Sequence, residues 1–510
     1  MRELRLRPLP LALALTAVLG LAFQGSRGLW EPDEGRNVNI ALGMLSTADW
    51  LVPRLNGQPY LDKPPLHYWS VAAGIELLGR NEWGARVPQA LFFLGTAALI
   101  GALAGRMWGR AEAGLAALVY ATTLTPFVAA NVLTPDTPLA ACTVLLYYAY
   151  WRAEETGTGA GAPGRLARWG WWLAAGAAAG LGLLTKGPAI LVFLPPLLVH
   201  LLLRRRLGAV LREPGVWTAA AVALLLGTAW YGPVLSTLPG ASAYLFDNQV
   251  VGRLVSAHYE RHPGWKGMLE AYLPVLTVGT LPWSPWWCWL ALRFSRKPQR
   301  KPAEAGLADP GHALVLLWLA LPLPVFLFAS SRLPLYLLPL FAPFSLATGR
   351  VLARAVAGSR RDGTRWRAAV AAWCLLLLGL KGSAAWLGHH RDDRGRALWL
   401  RSQVPPEEIV AVDVQLNGLL LYGYPSLLWV TSSPDPYPLF SPLPTLDQAA
   451  RRLATDNGRS VIVVPRHKVG WTRERLEDAG LSCGEGRPSE RLALLLCEPA
   501  VQGLPAGGGA

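Results

Sequence analysis

The chain has 510 residues, 52% of them hydrophobic and only 16% charged, whereas soluble proteins carry about a quarter charged residues. Repeated apolar runs, each near the roughly 20 residues that a bilayer crossing needs, make it a polytopic α-helical membrane protein. The formal charge of +15 does not indicate nucleic acid, because the basic residues form short clusters between apolar runs rather than one contiguous face.

Those clusters are Arg2, Arg5 and Arg7; Arg106 and Arg110; Arg152, Arg165 and Arg168; Arg204, Arg205, Arg206 and Arg212; Arg293 through Lys301; and Arg350 through Arg367. With a cytoplasmic amino terminus every cluster falls on the cytoplasmic side, as the positive-inside rule requires. The first apolar run, Leu9 to Phe23, has the basic start of a signal peptide. No small-residue cleavage pattern follows it, so it reads as an uncleaved first transmembrane helix.

Hydropathy predicts eleven membrane helices, at about 8–24, 86–106, 112–130, 136–152, 169–185, 188–203, 216–233, 269–292, 311–330, 333–349 and 368–388. An odd count puts the carboxyl terminus outside. Residues 1–388 form the transmembrane domain, with long outer loops at 25–85 and 235–268. In the first loop Val38, Ala41, Leu42 and Leu45 share one helical face, which predicts a short helix on the membrane surface, and His67 to Leu78 predicts another. Residues 389–500 read as a small extracytoplasmic α/β domain. Its strands are predicted near Ile409–Asp413, Leu427–Val430 and Val461–Val464, its helices near Leu446–Leu453 and Thr472–Ala479. It has no glycine-rich phosphate loop, so no nucleotide cofactor is expected. The tail 501–510 reads as disordered.

The first outer loop concentrates polar chemistry: Trp30-Glu31-Pro32-Asp33-Glu34-Gly35-Arg36, then Asn56 through Trp69 with Asp62-Lys63-Pro64-Pro65 inside it. Asp33 and Glu34 also suit a helix start, as N-cap and first-turn acid. Asp62 and Lys63 also suit a surface salt bridge, although the two prolines after them fix where the charges point. Asp136 opens the fourth predicted span and Lys186 lies at the turn after the fifth, while Arg332 lies between the ninth and tenth. Ionisable groups at membrane depth cost roughly 2.5–3.5 kcal/mol each and are usually kept for function; the lysine also has the option of snorkelling. All of these face one compartment in the predicted topology. Cations there suit a phosphate, and an acid suits a hydroxyl or a metal.

Six blocks carry a family resemblance: Asp33-Glu34-Gly35-Arg36, Asp49 to Gly57, Lys63 to Trp69, Thr134 to Leu139, Thr185 to Pro188 and Ser331 to Pro339. In that order they resemble the bacterial GT-C glycosyltransferases related to protein O-mannosyltransferases and to the lipid A aminoarabinose transferases. The resemblance implies transfer of a sugar from a polyprenyl-phosphate donor to a lipid or protein acceptor, at the outer side of the cytoplasmic membrane. It implies Asp33, Glu34 and Asp136 as catalytic acids, Arg36, Lys63, Lys186 and Arg332 around the donor phosphate, and His67, Tyr68 and Tyr336 lining the substrate. Asp62 stands where relatives have a metal-binding glutamate, which suggests a divalent metal held with His258 or His262. Here the sequence departs from the family, with Phe246-Asp247-Asn248-Gln249 where relatives often show an acid–histidine pair. A transporter or flippase of a lipid-linked sugar is the alternative; no inverted repeat or pair of broken helices supports it.

Of five cysteines, Cys142, Cys288 and Cys374 fall in predicted spans. Cys483 and Cys497 flank a predicted hairpin about Pro488-Ser489-Glu490, which sets them opposite one another or within a residue, at disulfide distance.

Overall fold

The structure is a computed structural model, and it describes residues 8–156, 162–251, 261–288, 309–329, 331–356, 360–386, 389–433, 439–455 and 458–500. The chain divides into two compact units. One comprises Met1–Gly25, Lys63–Leu77 and Trp83–Ser383; the other comprises Ser26–Asp62, Leu78–Glu82 and Ala384–Ala510.

The first unit is helical. It contains α1 (Pro8–Leu21), α3 (Leu66–Leu78), α4 (Glu82–Met107), α5 (Arg110–Thr122), α6 (Leu124–Ala129), α7 (Asp136–Thr156) and α8 (Ala162–Lys186), where α3 and α4 each overrun the unit boundary by a residue or so. The later helices are Pro195–Leu203, Pro214–Thr228, Gly264–Thr277, Pro310–Ala320, Phe341–Val356 and Arg360–Ser383. Each of the eleven predicted apolar segments overlaps helix, but several are interrupted. Among the described residues five stretches are long and apolar enough to cross a membrane by length and composition: Glu82–Met107, Gly164–Leu203, Pro214–Thr237, Pro310–Phe328 and Pro334–Ala355.

Small residues set the closest helix packing. A Cβ on Gly176 would run into the backbone of Ala219, and one on Gly180 would come 2.7 Å from the Leu226 Cβ. The Gly-x-x-x-Gly spacing on α8 therefore lets the Pro214–Thr228 helix approach at backbone distance, the way helices associate where no hydrophobic drive separates them from lipid. Deeper in the bundle Tyr147 stacks on Trp318 with ring centroids 3.5 Å apart. The helix α3 does not lie free on a surface as expected. Tyr68, Val71, Ala72 and Ile75 are buried, and Gly74 packs so tightly on the start of α4 that a side chain there would meet the Gly84 carbonyl.

The second unit is built around a five-stranded sheet. A two-residue hairpin, β1 (Arg54–Leu55) and β2 (Gln58–Pro59), precedes it in sequence; the sheet strands are β3 (Ile409–Val412), β4 (Leu427–Val430), β5 (Ser460–Pro465), β6 (Leu481–Glu485) and β7 (Leu492–Pro499), in order β4-β3-β5-β7-β6. Strands β4, β3 and β5 run parallel, and β7 and β6 are antiparallel additions. The helices Leu446–Thr455 and Val469–Asp478 cover one face, and Asp393–Arg401 lies on the other, with Leu400 in the core that contains Ile409, Ala411, Val461 and Val463. Central β3 and β5 are buried on both faces, which is why they read as unbroken apolar runs. Cys483 sits opposite Cys497, their Cα atoms 4.1 Å apart and their sulfurs bonded at 2.02 Å.

The division differs from a boundary after residue 388. The outer-loop segment Ser26–Asp62 belongs with the carboxyl-terminal sheet, so α2 (Asp33–Thr47) is not a membrane-surface helix. Asn37, Val38, Asn39, Ile40, Ala41, Leu42 and Met44 are all buried. A helix buried this far around is a core element of its unit. Its single-face pattern misled because the polar Asn37 and Asn39 are buried as well. Asn39 donates to the Asn417 carbonyl at 3.1 Å and to the Asn56 side chain at 2.7 Å, and Asn56 donates to the Asn417 side chain at 3.0 Å. The Asn56-Gly57 turn holds the hairpin, with φ of 51° and 79°, the left-handed pair that a two-residue β-turn of this kind requires.

Candidate functional site

In the helical unit, the site grows from three backbone breaks. Asp136 is the first residue of α7, Lys186 the last of α8, and Tyr336 lies in the 3-10 turn Pro334–Leu340. The Lys186 ammonium donates to the Asp136 carboxylate and lies 4.0 Å from the centre of the Tyr336 ring. The lysine and aspartate side chains are 9% and 8% exposed. This is a desolvated pair, in which charge-assisted bonding and a cation–π contact hold the ammonium. Removing either partner would leave a buried charge alone.

Tyr272, on the Gly264–Thr277 helix, belongs to the same cluster and was not anticipated. Its hydroxyl is buried without a hydrogen-bond partner among the described residues, and the charges of Arg332 and Asp136 reach it, together with the Tyr336 phenol. A lone tyrosine within an apolar helix carries no motif; only its phase, facing the Pro334–Leu340 turn, marks it. Arg332 is buried. Its guanidinium donates to the carbonyls of His262 at 2.7 Å, Gly264 at 3.1 Å and Leu327 at 3.0 Å. In this state it ties the loop before the Gly264–Thr277 helix to the end of Pro322–Phe328. His67 and Tyr68 are 1% and 2% exposed, so they do not line an open surface. Burial pushes the His67 ring down to about 3, and neither ring nitrogen has a hydrogen-bond partner among the described residues.

In the second unit, Asp33 opens α2 with Pro32 before it, and no side chain caps the helix. Asp33 is exposed, and the Arg36 guanidinium donates to it at 2.5 Å. Arg36 in turn lies 6.0 Å from the centre of the Tyr60 ring. Glu34, one residue on, does something else. It is 1% exposed, accepts two bonds from Arg27 at 2.5 and 3.0 Å, and accepts the Trp30 N–H at 2.9 Å. Arg27 also covers the Trp30 ring at 4.1 Å. Glu34 is thus a brace that shapes the loop, with its oxygens already engaged, whereas Asp33 presents an accessible carboxylate.

A second acid, Glu31, is engaged deeper in the same unit. Glu31 and Asp393 both accept a hydrogen bond from the Gly418 N–H at 2.9 Å. Arg396 donates to Asp393 at 2.9 Å and Asn417 to Glu31 at 3.3 Å. Burial raises the pKa of both carboxyls, and for Asp393 the neighbouring Glu31 charge raises it further. Two carboxyls this close, out of water, hold a proton between them. No sequence signal linked them, because they come from opposite ends of the chain.

Of the expected metal ligands, His262 is half-exposed and faces Glu270 at 3.7 Å, Asp62 closes a segment of the second unit, and His258 lies outside the described residues. Among the described residues no group of three His, Cys, Asp or Glu could hold a metal ion.

Comparison with known proteins gives a consistent relationship. The family model described as dolichyl-phosphate-mannose-protein mannosyltransferase matches residues 62–231. Undecaprenyl phosphate-alpha-4-amino-4-deoxy-L-arabinose arabinosyl transferase 1 of Pseudomonas fluorescens is 32% identical over 361 residues, 69% of this chain and 61% of that protein. The chain therefore spans about three fifths of that relative's length. A Pseudomonas aeruginosa transferase of the same description is 31% identical, over 64% of this chain and 56% of its own. In fold, the chain matches the crystal structure of ArnT from Cupriavidus metallidurans bound to undecaprenyl phosphate. The TM-score is 0.76 at 20% identity, covering 96% of this chain and 97% of that one. The oligosaccharyltransferase of Archaeoglobus fulgidus matches with a TM-score of 0.53 at 13% identity, over 99% of this chain and 76% of that one. These matches bear out the resemblance carried by the motifs.

Proposed function

We propose, taking as premise that this chain is a bacterial ArnT-like member of the GT-C glycosyltransferase superfamily in fold and motif, that it transfers a sugar from a polyprenyl-phosphate donor to a lipid acceptor. By analogy with the relatives' names the donor is an undecaprenyl phosphate carrying an amino-arabinose or a related sugar, and the acceptor a lipid A-like glycolipid. The observation that carries this reading is the desolvated Lys186–Asp136 pair under Tyr336, in a chain whose second unit offers an exposed Asp33 paired with Arg36.

The chemistry follows from those groups. Displacement at the anomeric carbon breaks the bond to the donor's phosphate oxygen and forms one to the acceptor hydroxyl, whose proton leaves to a base. Asp33 is the base: it is solvent-accessible, and the Arg36 guanidinium beside it orients it. Charge develops on the departing phosphate, and fixed cations stabilise it most where water is excluded. Lys186 supplies that charge, with Asp136 and Tyr336 holding it in place until an anion competes for it. The Tyr272 hydroxyl is placed to donate to the same anion. The resemblance adds Lys63 and Arg36 as further cations for the phosphate, while Arg332 braces the loop before the Gly264–Thr277 helix. Because the leaving group is a lipid phosphate, no nucleotide is needed.

The eleven predicted segments are read as eleven membrane passes, with the second unit and the site outside the cytoplasmic membrane. The basic clusters and the Cys483–Cys497 bond support this orientation. The test is transfer by the purified protein from synthetic undecaprenyl-phosphate aminoarabinose to lipid A, read by mass spectrometry. Absence of any mass shift, with this donor and with other polyprenyl-phosphate sugars, overturns the reading.

A further inference from the structure

The second unit contains a cleft that no reading of the motifs uses. It has a volume of about 670 Å³, and its walls come from the β1–β2 hairpin on one side and from β4, the 439–445 segment and the first turn of Leu446–Thr455 on the other. That volume is in the range of small-molecule sites, roughly 300–1,000 Å³. Strand β4 is an edge strand, so the cleft lies where the sheet stops.

Its chemistry is specific. Trp429 and Tyr60 supply aromatic faces, Gln58 and Gln448 supply amides, and Arg452 supplies a guanidinium at the rim; no carboxylate is among the lining residues. Gln58 and Arg452 are exposed, and their side chains have no hydrogen-bond or ion-pair partner among the described residues. Gln448 uses its carbonyl oxygen to accept the Thr445 N–H at 3.0 Å, which turns its amide donors outward. Aromatic faces pack on the C–H face of a sugar ring, amides pair with hydroxyls, and an unpaired guanidinium matches phosphate in bidentate fashion. The set therefore recognises an acidic saccharide. The cleft also touches the candidate chemistry through one residue: Tyr60 lines it and lies under the Arg36 guanidinium, 6.0 Å from ring centre to Arg36, which itself binds Asp33.

We propose that this cleft docks the phosphate-bearing saccharide of the acceptor glycolipid, beside the Tyr60–Arg36–Asp33 row. This rests on the transferase reading above for the word acceptor, but the binding itself does not. A peptide strand added to the β4 edge is the other occupant such a place invites. The observations favour a sugar, because the end of β4 is already flanked by a parallel bridge between Thr431 and Thr445. Pro442 and Pro444 in the wall also offer no N–H to a strand.

The experiment uses the full-length protein in detergent and calorimetric titration with three probes: a bisphosphorylated glucosamine disaccharide, the same disaccharide without phosphate, and inorganic phosphate. The phosphorylated disaccharide binds most tightly. Trp429→Ala weakens both disaccharides by about tenfold or more, as loss of an aromatic platform does. Arg452→Gln, at an exposed position that leaves folding untouched, weakens only the phosphorylated one by about tenfold, as loss of a charge-assisted fork does. In transfer assays both variants raise the acceptor KM and leave kcat unchanged. Failure of the wild type to bind the disaccharide, wild-type binding by both variants, or displacement of the disaccharide by an extended neutral peptide overturns the proposal. Disaccharide binding that responds to the variants in a protein showing no transfer supports the cleft and refutes the transferase reading, so the two fail separately.

Discussion

Glu31 and Asp393 accept hydrogen bonds from one and the same backbone amide, that of Gly418, each at 2.9 Å. The groups facing the pair are Arg396, Asn417 and that amide. Both carboxyls have raised folded-state pKa values, first because of burial. The folded unit therefore holds a proton that the unfolded chain releases at the ordinary carboxylate range. Stability is greatest below that range and declines as pH rises from it through the raised folded-state values. Thermal unfolding of the second unit, followed at mildly acidic and mildly alkaline pH, should show the lower midpoint at the alkaline end. Asp393→Asn, which fixes the neutral form, should flatten that dependence. A pH-independent wild type would remove the shared proton.

Asp33 and Glu34 should separate function from folding. Asp33→Asn should lower transfer by about a hundredfold or more, the low end for general acid–base catalysis, with unchanged melting. Glu34→Gln should instead destabilise by about 3–5 kcal/mol, since it breaks a largely desolvated ion pair with Arg27. Transfer per folded molecule and the melting midpoint, measured on both variants, decide this; the reverse pattern would exchange their roles.

Tyr272→Phe removes a hydroxyl that has no hydrogen-bond partner among the described residues. Stability should therefore stay within about 0.5 kcal/mol, or rise, because an unpaired buried polar group is costly. Affinity for undecaprenyl phosphate should fall several-fold, and in Lys186→Gln by more than tenfold, consistent with about 1.5–3 kcal/mol for a hydrogen bond to a charged group. Equal binding by wild type and both variants would place the phosphate elsewhere.

The Cys483–Cys497 bond closes a loop with a sequence separation of 14, for which the chain-entropy model gives about 3 kcal/mol. Cys483→Ser with Cys497→Ser should lower the melting midpoint by several degrees. Orientation has its own check. A cysteine at exposed Gly458, in a background without other accessible thiols, should react with an impermeant reagent in whole cells, and one at Gly208 should not.

The local blocks were the legible part of this protein. Asp33, Asp136, Lys186 and Arg332 sit at backbone breaks marked by proline or glycine next to a charge, so a few consecutive residues announced each of them. The strands Ile409–Val412 and Ser460–Pro465 were legible because a doubly buried strand is an unbroken apolar run, and Leu427–Val430 because it too is apolar throughout. What the sequence concealed was partnership. Nothing near Asn39 points to Asn417, nothing near Glu31 points to Asp393, and hydropathy assigns a loop to the spans that flank it rather than to the domain that holds it. Arg332 illustrates the remaining limit. Its position was evident, but only coordinates reveal that most of its donors serve carbonyls of its own unit.

The discontinuity of the second unit sets an order of assembly in the cell. Ser26–Asp62 is made before the helices up to Ser383, while the partners that order it, Asp393, Asn417 and Gly418, are made after them. Early segments normally fold while synthesis continues, but here the loop bearing Asp33 must wait for residues 393–418. A chain halted between Ser383 and Asp393 therefore holds the helices up to Ser383, while its Ser26–Asp62 segment lacks the residues it folds against, and that unfolded segment is a mark by which proteolysis can recognise it.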